Sequence, residues 1–141
     1  MIRDIVYNLL RNDTVLNGLE INSNSIYQAG TVDTLPAKPA LALQWCDLTP
    51  GPFEFGSTFT GAGTSVLTLR VHDELGDYDR IDAILAAAKE VLCSAVAVRS
   101  LSSPNWILIQ ADWTGDGPDL RDDGYGTLTR FSTYRVAAGW R

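Results

Sequence analysis

The single histidine, His72, is followed directly by Asp73 and Glu74, a cluster that could move protons. A general base also needs a nucleophile within reach, and no serine or cysteine motif points at His72. The local pattern predicts a satisfied histidine at a strand end; a small enzyme built on His72, Asp73 and Glu74 is the reading the residues support least. Two cysteines, Cys46 and Cys93, are too few for a disulfide scaffold or a zinc site. They read as small buried hydrophobes, reduced in a cytosolic setting. Gly61-Ala62-Gly63-Thr64 lacks a lysine and does not open a helix, so it is not a phosphate-binding loop. Asp112-Trp113-Thr114-Gly115-Asp116-Gly117, with Asp123 at the twelfth place, overlaps the spacing of a calcium loop. Its twelfth residue is Asp instead of a longer bidentate Glu, and its flanks read as strands. Loops rich in Gly and Asp arise between strands for turn reasons alone. A calcium-dependent binding module is therefore kept as an alternative, while the expectation is no catalytic residue, no metal ligand and no cofactor.

Two features point to contacts with other macromolecules. The chain carries a net charge of −6, concentrated in two segments. Residues 73–82 hold Asp73, Glu74, Asp77, Asp79 and Asp82 against Arg80; residues 112–123 hold Asp112, Asp116, Asp119, Asp122 and Asp123 against Arg121. After Asp123 there are only Arg130, Arg135 and Arg141. Such runs form either two solvated loops or one acidic face offered to something. Asp116, Asp119, Asp122 and Asp123 lie among Gly115, Gly117, Pro118 and Gly124 and are expected at an exposed loop tip. A nucleic-acid binder working through phosphate contacts needs a basic face, the reverse of this balance. The second feature is Phe53, Phe55 and Phe59 within the Gly- and Pro-rich 47–63 segment. Their even spacing puts them on one side of an extended chain. They are expected to meet a neighbouring subunit or partner, or else to fold back as core beneath the loop.

The elements that must position these residues are legible from periodicity. At 141 residues the chain fits one domain, 1–141. No apolar run approaches the ~20 residues of a membrane span, and Met1-Ile2-Arg3-Asp4 lacks the build of a secretory signal. Ile2, Ile5, Val6, Leu9 and Leu10 form one helical stripe over roughly 2–12. Val15, Leu16, Leu19 and Ile21 suggest a short second helical piece, and Ser25-Ile26-Tyr27 a short strand. Residues 40–60 and 64–72 predict a long hairpin, with Leu67, Leu69 and Val71 on one side and Thr68, Arg70 and His72 on the other. Tyr78, Ile81, Ile84, Leu85, Ala88, Val91, Leu92 and Ala95 predict the main helix, with Asp77 or Asp79 as its N-cap. Trp106–Trp113 and Thr127–Ala137 predict two strands flanking a polar loop. The expected class is α+β: a mostly antiparallel sheet of four to five strands, two helices packed on one face and a long β-hairpin in the middle.

Leu9-Leu10-x-x-Asp13-x-x-Leu16 leading to Ser25-Ile26-Tyr27-Gln28, followed by prolines and an apolar strand, resembles the start of the tail terminator (tail completion) proteins of long-tailed bacteriophages. Arg70-Val71-His72, the Gly76-Asp77-Tyr78 turn and Ile81-Asp82-x-Ile84-Leu85 are similar to the middle of that pattern, and Gly126-Thr127-Leu128-Thr129-Arg130-Phe131 to its end. The 47–63 stretch has no counterpart in it. The resemblance implies a single tail-terminator-like domain, a structural virion protein without catalytic residues. It implies self-assembly into a ring, a hexamer, that caps the tail tube, stops its polymerisation and joins it to the head-tail connector protein. It further implies a place in the tail-neck region of the virion, assembly in the host cytoplasm, DNA passing without specific binding, and no membrane. Within that frame the acids Asp116, Asp119, Asp122 and Asp123 would line a lumen or rim that phosphates do not bind. Another phage neck or tail-tube structural protein is the nearest alternative.

Overall fold

The apolar stripe near the N-terminus winds into helix α1 (Ile2–Arg11), which buries Val6 and Leu10 completely. In this computed structural model, residues 2–47, 63–94 and 106–140 are described. Asp13 stops α1 and starts α2 (Thr14–Gly18): its carboxylate accepts the Leu16 N–H at 3.0 Å, satisfying a donor the helix itself cannot. The chain then forms β1 (Ile26–Gln28), β2 (Ala40–Asp47), β3 (Gly63–Asp73), α3 (Asp79–Cys93), β4 (Trp106–Asp116), β5 (Leu120–Asp122) and β6 (Thr127–Trp140).

The sheet order is β1-β2-β3-β6-β4, with β5 lying beside β6 beyond the end of β4. Every pairing is antiparallel except β1 with β2. This is the expected α+β architecture, with the short second helical piece present as α2. The one addition is β5, three residues without periodicity of their own, which pair because β6 begins five residues before its first partner in β4: Thr127, Leu128 and Thr129 face β5, and Ser132 is the first residue to face β4. The hairpin in the middle pairs Ala40 with His72 through to Asp47 with Ser65.

Alternation along the strands decides the two faces. Leu41 faces Val71, Leu43 faces Leu69 and Leu67 faces Tyr134, giving apolar rows on one side. Helix α3 lays Ile81, Ile84, Leu85, Ala88 and Leu92 over those rows, and α1 and α2 close the same core with Val6, Leu10 and Leu16. Each fully buried Leu or Ile contributes about 1.5–3 kcal/mol, so this layer holds the sheet against the helices. The opposite face has no helix and carries Tyr27, Ala42, Arg70 and His72.

Two local expectations are corrected. Cys46 and Cys93 are exposed, not buried. Cys46 falls on the helix-free parity of β2, opposite Val66, and Cys93 is the last residue of α3. The main helix starts after Tyr78, which makes no side-chain cap bond. Asp77 still serves the helix end from one position further out, its carboxylate accepting the Asp79 N–H at 3.1 Å.

Candidate functional site

The strand directions bring both acidic segments to one end of the sheet. β3 ends there at Asp73 and runs into α3, β4 ends there at Asp116, and β6 starts there at Thr127. The Tyr78 hydroxyl donates to the Leu120 carbonyl at 2.9 Å, tying the two acidic segments directly. The other end carries the Asp47–Ser65 and Gly63–Ala138 pairs. The 11-residue length of β3 separates the two ends by roughly 35 Å. Phe53, Phe55 and Phe59 lie outside the described residues.

Like charges gathered in this way would repel one another; two arginines counter that. Arg80 grips Asp73 with Nε at 2.7 Å and Nη2 at 2.5 Å, and reaches Glu20 with Nη1 at 2.8 Å. Only 6% of the Asp73 side chain is exposed. Burial alone would push that carboxyl up, but the Arg80 hydrogen bonds, the Glu74 N–H and the Arg80 charge outweigh it and hold Asp73 below the ordinary carboxylate value. Arg130 joins the two acidic segments to each other. It donates to Asp82 at 2.7 Å and to the Gly117 carbonyl at 3.1 Å, and lies 3.8 Å from Asp116 and 3.7 Å from Asp119.

The four acids expected at one exposed tip have different environments. Asp116 accepts from the Ser132 hydroxyl at 2.5 Å and from the Trp113 indole N–H at 3.0 Å. Burial would raise its carboxyl, but these bonds and the charges of Arg130 and Lys89 hold it below the usual range. Lys89 in turn sits 3.8 Å from the centre of the Trp113 ring. Asp122 accepts the Tyr125 N–H at 3.0 Å and is half-buried. Asp119 and Asp123 point outward, their side chains 62% and 89% exposed, with Arg121 3.2 Å from Asp123. The structure does not bring Asp112, Asp116 and Asp123 to one point. Among the described residues no three His, Cys, Asp or Glu side chains converge as a metal would require.

Gly117 is the tight point of this region. Its N–H donates to the Phe131 carbonyl at 2.7 Å, and a Cβ there would fall 2.2 Å from the Phe131 ring. Gly117→Ala is expected to cost about 1 kcal/mol, the low end of overpacking because the ring edge can swing aside. Chemical denaturation measures it; an unchanged midpoint would mean the ring does not sit on Gly117.

On the helix-free face, the turn after β5 and the loop after β1 form the walls of a cleft of about 210 Å³. His72 forms part of its floor, 2% exposed, with Nδ1 3.1 Å from the Thr127 hydroxyl and its ring edge-on to Tyr125 at 5.3 Å. Burial lowers the His72 pKa, opposed by Asp122 and reinforced by Arg70, so the ring is neutral at neutral pH. Burial also pushes the Tyr27 hydroxyl up to about 12, helped by Tyr125 and Asp122. Arg70 stacks its guanidinium 4.8 Å from the Phe131 ring centre.

Sequence reasoning counts Arg80 and Trp113 within the acidic segments without giving them partners, and misses Arg130 and Ser132. A signal for the latter two is present. Arg130 and Ser132 interrupt the row Leu128, Tyr134, Val136, and a polar pair in such a row needs partners.

No protein-family model matches the chain. No curated protein matches it. Among solved structures, one that matches is a chain in "Virion of native gene transfer agent (GTA) particle". It has 18% sequence identity to this chain, covers 95% of this chain and 91% of its own, and gives a TM-score of 0.67. The two chains share a fold over nearly their full lengths.

Proposed function

We propose that this chain is a structural subunit of a phage-like virion, and within that class a tail terminator. The observation that carries the proposal is the end-to-end fold likeness to a chain of a virion particle. The finer role rests on the resemblance of the Leu9–Gln28, Arg70–Leu85 and Gly126–Phe131 segments to tail terminators. In this reading six copies close into a ring on the end of the tail tube, stop its growth and present a surface to the head-tail connector, in the tail-neck region of the virion. Two features support a ring. Among the described residues, the outer edge of β4 pairs with no strand, and a sheet edge is a place where a neighbouring subunit can sit. The acidic end also suits a passage for DNA, since carboxylates do not hold phosphates. Phe53, Phe55 and Phe59 remain the proposed contact with a neighbour or the tube. The chemistry of the ring is binding and exclusion, with no catalytic step.

The test is tube assembly in vitro. Tail-tube protein polymerised with the purified chain is expected to give tubes capped at one end that stop elongating. Tubes that incorporate the chain along their length would identify it as a tube protein instead. Unaffected growth with no bound chain would remove the terminator reading.

The outward acids give a separate expectation. Asp119→Asn with Asp123→Asn removes two charges per subunit at exposed positions and should change stability by less than about 0.5 kcal/mol. The rings should form, while docking to the connector or DNA passage slows. Asp116→Asn should instead lower the melting temperature, because Asp116 anchors Ser132 and Trp113. Equal effects of the two changes on stability would mean that Asp116 is as free as Asp123.

A further inference from the structure

The cleft on the helix-free face holds an arginine, Arg70, that shares the lining with Asp122 but is bonded to no carboxylate among the described residues. Among the described residues, no carboxylate and no hydrogen-bond acceptor pairs with the Arg70 guanidinium, although the side chain is half-buried. Phe131 fixes its plane from one side, so the fork of N–H groups is held in place before any partner arrives. Beside it, the Tyr27 hydroxyl also has no partner among the described residues, and Tyr27, Ala42 and Tyr125 offer apolar walls. Half-burying a guanidinium with nothing to bind costs desolvation that a carboxylate would offset.

Size and charge narrow the occupant. At about 210 Å³ the cleft is smaller than the roughly 300 Å³ at which small-molecule pockets begin, and suits one or two side chains. Asp122 also lines the cleft. A doubly charged phosphate would meet that carboxylate, whereas a singly charged carboxylate can sit in the Arg70 fork with less repulsion. Acids outnumber bases 17 to 11 in this chain, so each copy has carboxylates to spare.

We propose that the Arg70 cleft receives an acidic side chain of a second copy of this chain, with the carboxylate in the Arg70 fork and its stem between Tyr27 and Tyr125. The inference rests on the reading of the protein as a self-assembling ring. It makes the contact head-to-tail, a donor surface on one copy and the cleft on the next, as a closed ring needs.

Sedimentation velocity on the full chain tests it, with circular dichroism and thermal melting to confirm folding. Arg70→Gln should leave the melting temperature near that of the parent and weaken self-association at least tenfold. Arg70→Lys, which keeps the charge but loses the fork, should fall between. Sodium acetate should weaken parent association more than sodium chloride at matched ionic strength, and sodium phosphate should not. An Arg70→Gln protein that folds and assembles like the parent would overturn the proposal while leaving the ring standing. A parent that stays monomeric even with tube protein would overturn both. If phosphate competes better than acetate, the cleft is a phosphate site and the carboxylate assignment falls.

Discussion

Arg80→Gln is expected to lower the unfolding free energy by about 3 kcal/mol, the low end for breaking a buried ion pair because Arg80 itself is partly open to water. Asp73, with 6% of its side chain exposed, would be left as a charge with only the Glu74 N–H to stabilise it. For a chain of this size the melting temperature should fall by roughly 10 °C. Glu20→Gln removes the other partner of Arg80, whose side chain is 66% exposed, and should cost less than about 0.5 kcal/mol. The pH dependence separates pairing from packing. In the parent the Asp73 carboxyl is held below its unfolded value, so its contribution is complete above that value, near pH 4, and is lost as pH falls through the depressed folded value. In Arg80→Gln burial acts almost alone and raises the carboxyl, so acid favours the variant relative to the parent. The stability gap should be widest at neutral pH and close in acid. A gap that persists undiminished at pH 2 would mean that Arg80 acts through packing of its stem.

Arg130→Gln is expected to cost about 2 kcal/mol, from two charge-assisted or carbonyl hydrogen bonds and the longer attractions to Asp116 and Asp119. The loss should be local as well as global. Arg130 is what holds the segment between β4 and β5 against the first turn of α3, through Gly117 on one side and Asp82 on the other. Amide exchange at residues 117–123 should speed up more than exchange in the β3–β6 ladder. Arg130→Lys keeps the charge but cannot serve Asp82 and Gly117 with one planar fork, and should recover about half of the stability. Exchange that rises equally everywhere would show that Arg130 supports the fold as a whole and does not clamp the acidic segments.

These two arginines mark where reading the sequence stopped. Helix α3 was legible because its apolar residues recur at helical spacing over four turns, and the faces of β3 because Leu67, Leu69 and Val71 alternate with Thr68, Arg70 and His72. Those signals are local. The direction of β1 is not: a three-residue strand takes its orientation from β2, across a loop of 11 residues, and nothing in Ser25-Ile26-Tyr27 specifies a parallel partner. The strand β5 exists only because β6 extends past β4. The acidic segments read as free surface since the arginine that joins them comes from elsewhere: Arg130 is seven residues beyond Asp123 in sequence but reaches Asp82, Asp116 and Asp119 in space. Cys46 and Cys93 were misjudged for a related reason, as apolar neighbours along the chain do not say which face of a strand or helix a residue occupies.

The same geometry refines what the acidic end can offer a partner. Asp73, Asp82 and Asp116 are engaged by Arg80 and Arg130, so the charge felt outside the molecule comes chiefly from groups such as Asp119 and Asp123. Such a surface is polar without being strained, and at physiological salt its field fades over about 8 Å. It would act on DNA or a docking protein only at close range, as expected for the rim of a narrow passage.

Gold labelling of the chain in purified particles, viewed by electron microscopy, tests the central claim most directly. A tail terminator predicts one focus of label per particle, at the junction between head and tail. Label spread along the tail, label elsewhere on the particle, or particles that carry none would contradict it.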